Sequence, residues 1–129
     1  MVLMEAIARM EGWPDHTSRP RRYNNPGDIE WGKFAQAHGA DSVETPRGNE
    51  PARFAHFPDP TTGFQAMKAL LQAPGYAGLT VAQAISRWAP SNENDTTRYI
   101  ANVCKWCGCK PTDILDGLLQ IPVYSGTLD

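Results

Sequence analysis

The chain has 129 residues, of which 41% are hydrophobic and 20% charged, with four tryptophans. That is material for one compact core and too little for two, so a single domain over residues 1–129 is expected. The net charge of -2 and pI near 5.9 argue against a broad polyanion surface, and with it against a nucleic-acid partner, although Arg19, Arg21 and Arg22 form a local basic cluster.

In chain order, Val2, Leu3, Ala6, Ile7 and Met10 follow helical spacing, and Gly12 then Pro14 stop that helix just after Glu11. Glu5 and Arg9 interrupt this apolar run and no small-residue cleavage site follows, so it reads as a core helix and not as a signal peptide. Nothing approaches the roughly 20 apolar residues of a membrane span, so stable membrane insertion is not expected. Synthesis in the cytoplasm without a visible signal peptide is the corresponding expectation.

From Trp13 to Pro26 the composition of Pro, Asn, Arg, Asp and Ser predicts irregular structure ending in the Asn25-Pro26-Gly27 turn. Asp28 to Gly32 and Ala52 to Phe57 alternate polar with apolar residues and are predicted to form short strands of a small antiparallel sheet.

The rest predicts helices. Asp59-Pro60 opens one carrying Phe64, Met67, Leu70 and Leu71, which ends before Pro74-Gly75. Thr80 with Gln83 forms a capping box for a second, with Val81, Ala84, Ile85 and Trp88 at core spacing and Pro90 as its stop. A third runs from about Asp95 to Cys107, ended by Gly108, and a short last helix begins near Thr112. The fold class is therefore α+β: mostly helical, with a small sheet inserted after the first helix.

Cys104, Cys107 and Cys109 crowd into one stretch, and this odd count argues against a secreted disulfide framework. Structural zinc takes four ligands, and His16, His38 and His56 lie far away in sequence, so free thiols in a reducing compartment are expected, with no metal and no cofactor.

Chemistry points to Glu11. A lone carboxylate between apolar helical turns and a polar loop is a candidate proton donor, because desolvation raises a carboxylic acid's pKa. It also opposes the helix dipole, a mild cost that suggests a purpose other than stability.

These residues carry a resemblance. The order helix, glutamate, polar loop, small sheet and helical remainder is similar to the lysozyme-like superfamily of peptidoglycan-cleaving enzymes. The runs Ala-Arg-Met-Glu-Gly-Trp, Asn-Asn-Pro-Gly-Asp-Ile, Arg-Phe-Ala-His-Phe with Thr-Gly-Phe after it, and Trp-Ala-Pro-Ser-Asn-Glu-Asn-Asp-Thr-Thr-Arg-Tyr resemble bacterial and phage lytic transglycosylase or muramidase-like domains over residues 5 to about 118.

The resemblance implies cleavage of the β-1,4 bond between N-acetylmuramic acid and N-acetylglucosamine, with Glu11 as general acid. Glycan strands of peptidoglycan would be the partner, the cell wall the place of action, and a monomer the working form. Asp28 and Glu30 are candidates for a second carboxylate, and alternation along the predicted strand puts both on one side. Their other reading is solvated acids on an edge strand.

Glu93 and Asn94 match cleft-lining positions of the related enzymes, while Asn94 or Asp95 also suits a helix N-cap. Asn25 is a further candidate substrate ligand, and Tyr99 contacts sugar or packs with its hydroxyl bonded to a neighbour. Trp31 is the best aromatic platform for a sugar ring, with Trp88 and Trp106 assigned to the core. Gly12 replaces the serine that many relatives carry after the glutamate, and Asn-Pro-Gly-Asp-Ile replaces a Gly-Leu-Met-Gln-type stretch, which leaves the subclass open. The alternative class is a non-catalytic phage structural or wall-binding protein of the same fold.

Overall fold

The computed structural model describes residues 1–43, 48, 53–92 and 94–122. Among them the chain forms helices α1 (Leu3–Met10), α2 (Arg19–Arg22) and α3 (Lys33–Ala37), then strands β1 (Ser42–Val43) and β2 (Ala55–His56). Helices α4 (Pro60–Leu71), α5 (Val81–Trp88) and α6 (Thr96–Cys107) follow, and a 3-10 turn at Leu115–Leu118 closes the described part. The result is a small α+β protein, and no helix among the described residues is long and apolar enough to cross a membrane.

The long helices begin where their caps lie. Asp59 accepts the Thr62 amide at 2.7 Å ahead of α4, and Asp95 accepts the Arg98 amide at 3.1 Å ahead of α6. Thr80 and Gln83 form the reciprocal capping box of α5, at 3.1 and 2.9 Å. Gly108, with φ +72°, ends α6 in the left-handed conformation.

α1 buries Leu3, Met4, Ala6, Ile7 and Ala8, packing chiefly against α6 and also against α4. With Phe64, Met67, Val81, Ile85, Tyr99, Val103 and Leu115 these side chains make the larger apolar cluster. A smaller one gathers Ile29, Ala35, Ala55, Phe57 and Ala66 beside the sheet. α4 contributes Phe64 and Met67 to the first and Ala66 to the second, so it is the wall both share.

The sheet departs from the sequence expectation. β1 pairs with β2 in antiparallel register, Ser42 opposite His56 and Val43 opposite Ala55. The predicted strand at Asp28–Gly32 is reduced to a single bridge, Glu30 with Phe54. Asp28 turns left-handed at φ +51°, and the Asn25 side chain satisfies both the N–H and the C=O of Ile29 at 2.9 Å. The backbone still pairs there with the neighbouring segment, Ala55 N–H donating to Ile29 O at 3.0 Å and Trp31 N–H to Arg53 O at 2.8 Å, but the pairing stops at that bridge and Gly32 leads directly into α3. Of the predicted strand at Ala52–Phe57, Ala55–His56 is strand and Phe54 a bridge, and Ala52 lies outside the described residues.

Two further elements differ. Within the stretch expected to be irregular, Ser18 caps one turn of helix by accepting the Arg21 amide, and Pro20 sits where a missing amide costs nothing. The last helix is the 3-10 turn, entered through Ile114 in a bridge with Thr80.

Cys104, Cys107 and Cys109 are free thiols at the end of α6, with the Cys109 and Cys104 sulfurs 3.5 Å apart. Burial pushes all three up, Cys107 from 9.0 to about 11. Since only the thiolate attacks, alkylation of Cys107 near pH 8 is expected to run about a hundredfold slower than that of a thiol titrating at 9.0. Site-resolved mass spectrometry after timed iodoacetamide exposure reads this, and a rate equal to that of an ordinary thiol contradicts it.

Candidate active site

Glu11 is the residue at which α1 stops. The Gly12 amide reaches back to Arg9 O at 3.2 Å and the Trp13 amide to Ala8 O at 3.0 Å, the paired bonds of a Schellman ending. That ending needs a left-handed residue after the cap, and Gly12 supplies it at φ +100°. Trp13 then anchors the turn in the core, edge-on to Phe64 at 5.3 Å. Two short-range features, a glycine and a buried tryptophan, hold the Glu11 backbone rigidly at the mouth of a cleft.

From α6 comes Tyr99, 3% exposed, whose hydroxyl donates to Glu11 Oε2 at 2.7 Å. Burial raises the pKa of Glu11; the Tyr99 hydrogen bond opposes this, the negative charge of Asp28 adds to it, and Arg19 opposes it, for a net rise. Burial and the adjacent Glu11 carboxylate keep the phenol itself neutral. Ile7 O lies 3.4 Å from the Tyr99 hydroxyl and offers a second acceptor once Glu11 carries a proton.

Glu11 opens onto a cavity of about 490 Å³, a size suited to a bound small molecule or a segment of a polymer. Asp28 and Glu30 line it, as do Arg19 and Arg53. Arg19 grips Asp28 with Nη2 to Oδ2 at 2.8 Å and Nε to Oδ1 at 3.2 Å, and Arg53 pairs with Glu30. The Arg19 guanidinium also lies over the Phe54 ring, 3.7 Å from its centroid. An aromatic wall completes the cavity, Tyr76 and Trp88 meeting edge to face at 6.2 Å.

Of the residues singled out from sequence, Glu11, Asp28, Glu30 and Asn94 line this cavity. Asp28 and Glu30 share it because the turn and the bridge aim them there, not because a strand's pleat does. Tyr99 is a positioning residue behind Glu11.

Asn25 is a correction. It is 1% exposed, and its amide is spent on Ile29 O and Ala55 O, both at 2.9 Å, and on the Ile29 amide, so it braces the cleft floor and cannot reach a substrate. Trp31, 36% exposed, lies outside the cavity lining, and Trp88 packs against the larger apolar cluster, as expected, while also lining the cavity together with Tyr76. Glu93 lies outside the described residues.

Arg19, Arg53, Tyr76 and Trp88 were not anticipated as cleft residues. For Trp88 a signal existed in Gly27: a β-carbon there would come 3.3 Å from the Trp88 ring, so the turn glycine makes room for the indole. Among the described residues no group of His, Cys, Asp and Glu side chains is arranged to hold a metal ion. The sequence matches no protein-family model and no curated protein.

Proposed function

We propose that this protein has a lysozyme-like fold and cleaves the β-1,4 bond between N-acetylmuramic acid and N-acetylglucosamine in peptidoglycan at the bacterial cell wall, as a lytic transglycosylase. The observation that carries this reading is Glu11 itself: a desolvated carboxyl with a raised pKa, held by a buried tyrosine at the mouth of an open polar cleft with an aromatic wall. The chain order of first helix, glutamate, loop, small sheet and helical remainder supports the fold assignment.

Protonated Glu11 gives its proton to the glycosidic oxygen as the C1–O4 bond breaks and positive charge develops at C1 of the muramic residue. Glu11 is then a carboxylate stabilised by the Tyr99 hydroxyl. It takes the proton of the muramic 6-hydroxyl while O6 attacks C1, which closes a 1,6-anhydro ring and returns Glu11 to its acid form. No water is consumed, and one carboxyl serves as acid and then as base.

Support for this route over hydrolysis comes from the other two acids. Asp28 already accepts from Arg19 on both oxygens and Glu30 from Arg53, so neither stands as an unengaged carboxylate ready to hold a water or attack C1.

Mass spectrometry of purified peptidoglycan digested with the protein tests the proposal. Muropeptides ending in 1,6-anhydromuramic acid are expected. Reducing muramic ends would establish a muramidase and return Asp28 or Glu30 to a direct role. A folded protein that releases no soluble fragment would leave the non-catalytic wall-binding reading.

A further inference from the structure

A second cavity, of about 310 Å³, adjoins the first: Glu11 and Asn94 line both, so the carboxyl stands between two stretches of one groove. The two sides differ in chemistry. On the first, the cationic side chains Arg19 and Arg53 are matched to Asp28 and Glu30. On the second, Asn94, Asp95, Arg98 and Asn102 face the cavity from the start of α6.

Asp95 is committed to the helix end, where its carboxylate accepts the Arg98 backbone amide at 3.1 Å. The exposed Arg98 guanidinium has no carboxylate partner among the described residues. A groove built for a neutral sugar polymer needs amide and hydroxyl partners and gains nothing from a cation. A flexible guanidinium beside Glu11, flanked by Asn94 and Asn102, fits a substrate that carries an anion close to the scissile bond.

Resting on the function proposed above, we propose that the second cavity is a specificity subsite in which Arg98 pairs with a carboxylate borne by the muramic residue next to the broken bond. Two sources carry that chemistry, the lactyl ether itself once unsubstituted and the peptide stem attached to it. In either case the subsite distinguishes peptidoglycan from chitin, whose chain has the same linkage and acetamido groups but no carboxylate. Arg98 is a binding residue here and takes no part in proton transfer.

The test compares wild type, Arg98→Gln and Arg98→Lys on three preparations: intact peptidoglycan, the same material with its carboxylates amidated by carbodiimide and ammonium, and strands stripped of stems by an amidase. Loss of one charge-assisted hydrogen bond predicts that Arg98→Gln raises KM roughly tenfold on intact material with kcat little changed, and has no effect on the amidated material. Arg98→Lys should restore part of the loss. On intact strands the lactyl carboxyl is bound as the stem's amide, so a penalty there assigns a stem carboxylate; a penalty on stripped strands assigns the lactyl carboxylate that the amidase frees.

Equal kinetics of Arg98→Gln and wild type on both intact and stripped peptidoglycan, or an equal loss on intact and amidated material, overturns the subsite while leaving the cleavage reaction standing. Absence of product from wild type on every preparation overturns both.

Discussion

Glu11→Gln is expected to lower the rate of peptidoglycan cleavage roughly a thousandfold, within the range of about 10² to 10⁴ that a positioned general acid supplies. The amide is isosteric and can still accept from Tyr99, but it carries no transferable proton and cannot become a carboxylate. Stability should move the other way. Because burial raises the pKa of Glu11, the folded protein binds this proton more tightly than the unfolded chain does. The site's contribution is therefore fully present below the ordinary carboxyl value of 4.5 and is lost as pH climbs through the raised one.

Glutamine escapes that loss. Thermal melts should show the variant gaining on wild type as pH rises from the ordinary carboxyl value of 4.5 through the raised one, a stability gain bought with activity. A variant that loses activity and also melts lower at neutral pH would mean that Glu11 is a structural residue. In activity profiles, the limb attributable to Glu11 falls as pH rises through its pKa. Tyr99→Phe removes the donor that favours the carboxylate, so it should move that limb upward as well as slow the reaction.

Gly63→Ala should be strongly destabilising, although Gly63 lies inside α4, where alanine ordinarily gains about 1 kcal/mol over glycine. A β-carbon at this position would lie 1.9 Å from the Asn24 carbonyl oxygen and 2.8 Å from Pro26 Cδ. The first is backbone, held by the Asn24 side chain bonded to Phe57 O at 3.0 Å and by the neighbouring Asn25 network, so the loop cannot step aside. Either α4 or the cleft floor must shift, at a cost on the order of 3 kcal/mol.

For a chain of this size that corresponds to a loss of about 10 °C in melting temperature. Calorimetry or a thermal melt followed by circular dichroism reads it directly. A melting temperature equal to or above that of wild type would show that α4 and the Asn24–Pro26 loop are not in fixed contact. Peptidoglycan cleavage should fall in parallel, since the same loop carries Asp28 into the cleft.

What the sequence determined by itself is what lies within one turn of the chain. The caps of α4, α5 and α6 at Asp59, Thr80 and Asp95, and the stops at Gly12 and Gly108, rest on bonds between residues three to five positions apart, which composition and spacing expose. For the same reason Glu11 could be placed at a helix end beside a polar loop. The α+β class followed from counting such elements.

Only the tertiary structure decided which side chains meet. Tyr99 reaches Glu11 across 88 residues and Asn25 reaches Ala55 across 30, and no local period encodes either contact. Alternation around Asp28 and Glu30 resembled a strand, but the left-handed turn at Asp28 and the start of α3 after Gly32 cut its pairing with residues 53–55 to a single bridge. Trp88 took a second role on the same ground: at the edge of the core an indole packs on one side and lines a cleft on the other. That Trp88 reaches the cavity was set by how Gly27 and Met67 of α4 packed beside it, a long-range steric matter that the order of residues alone does not contain.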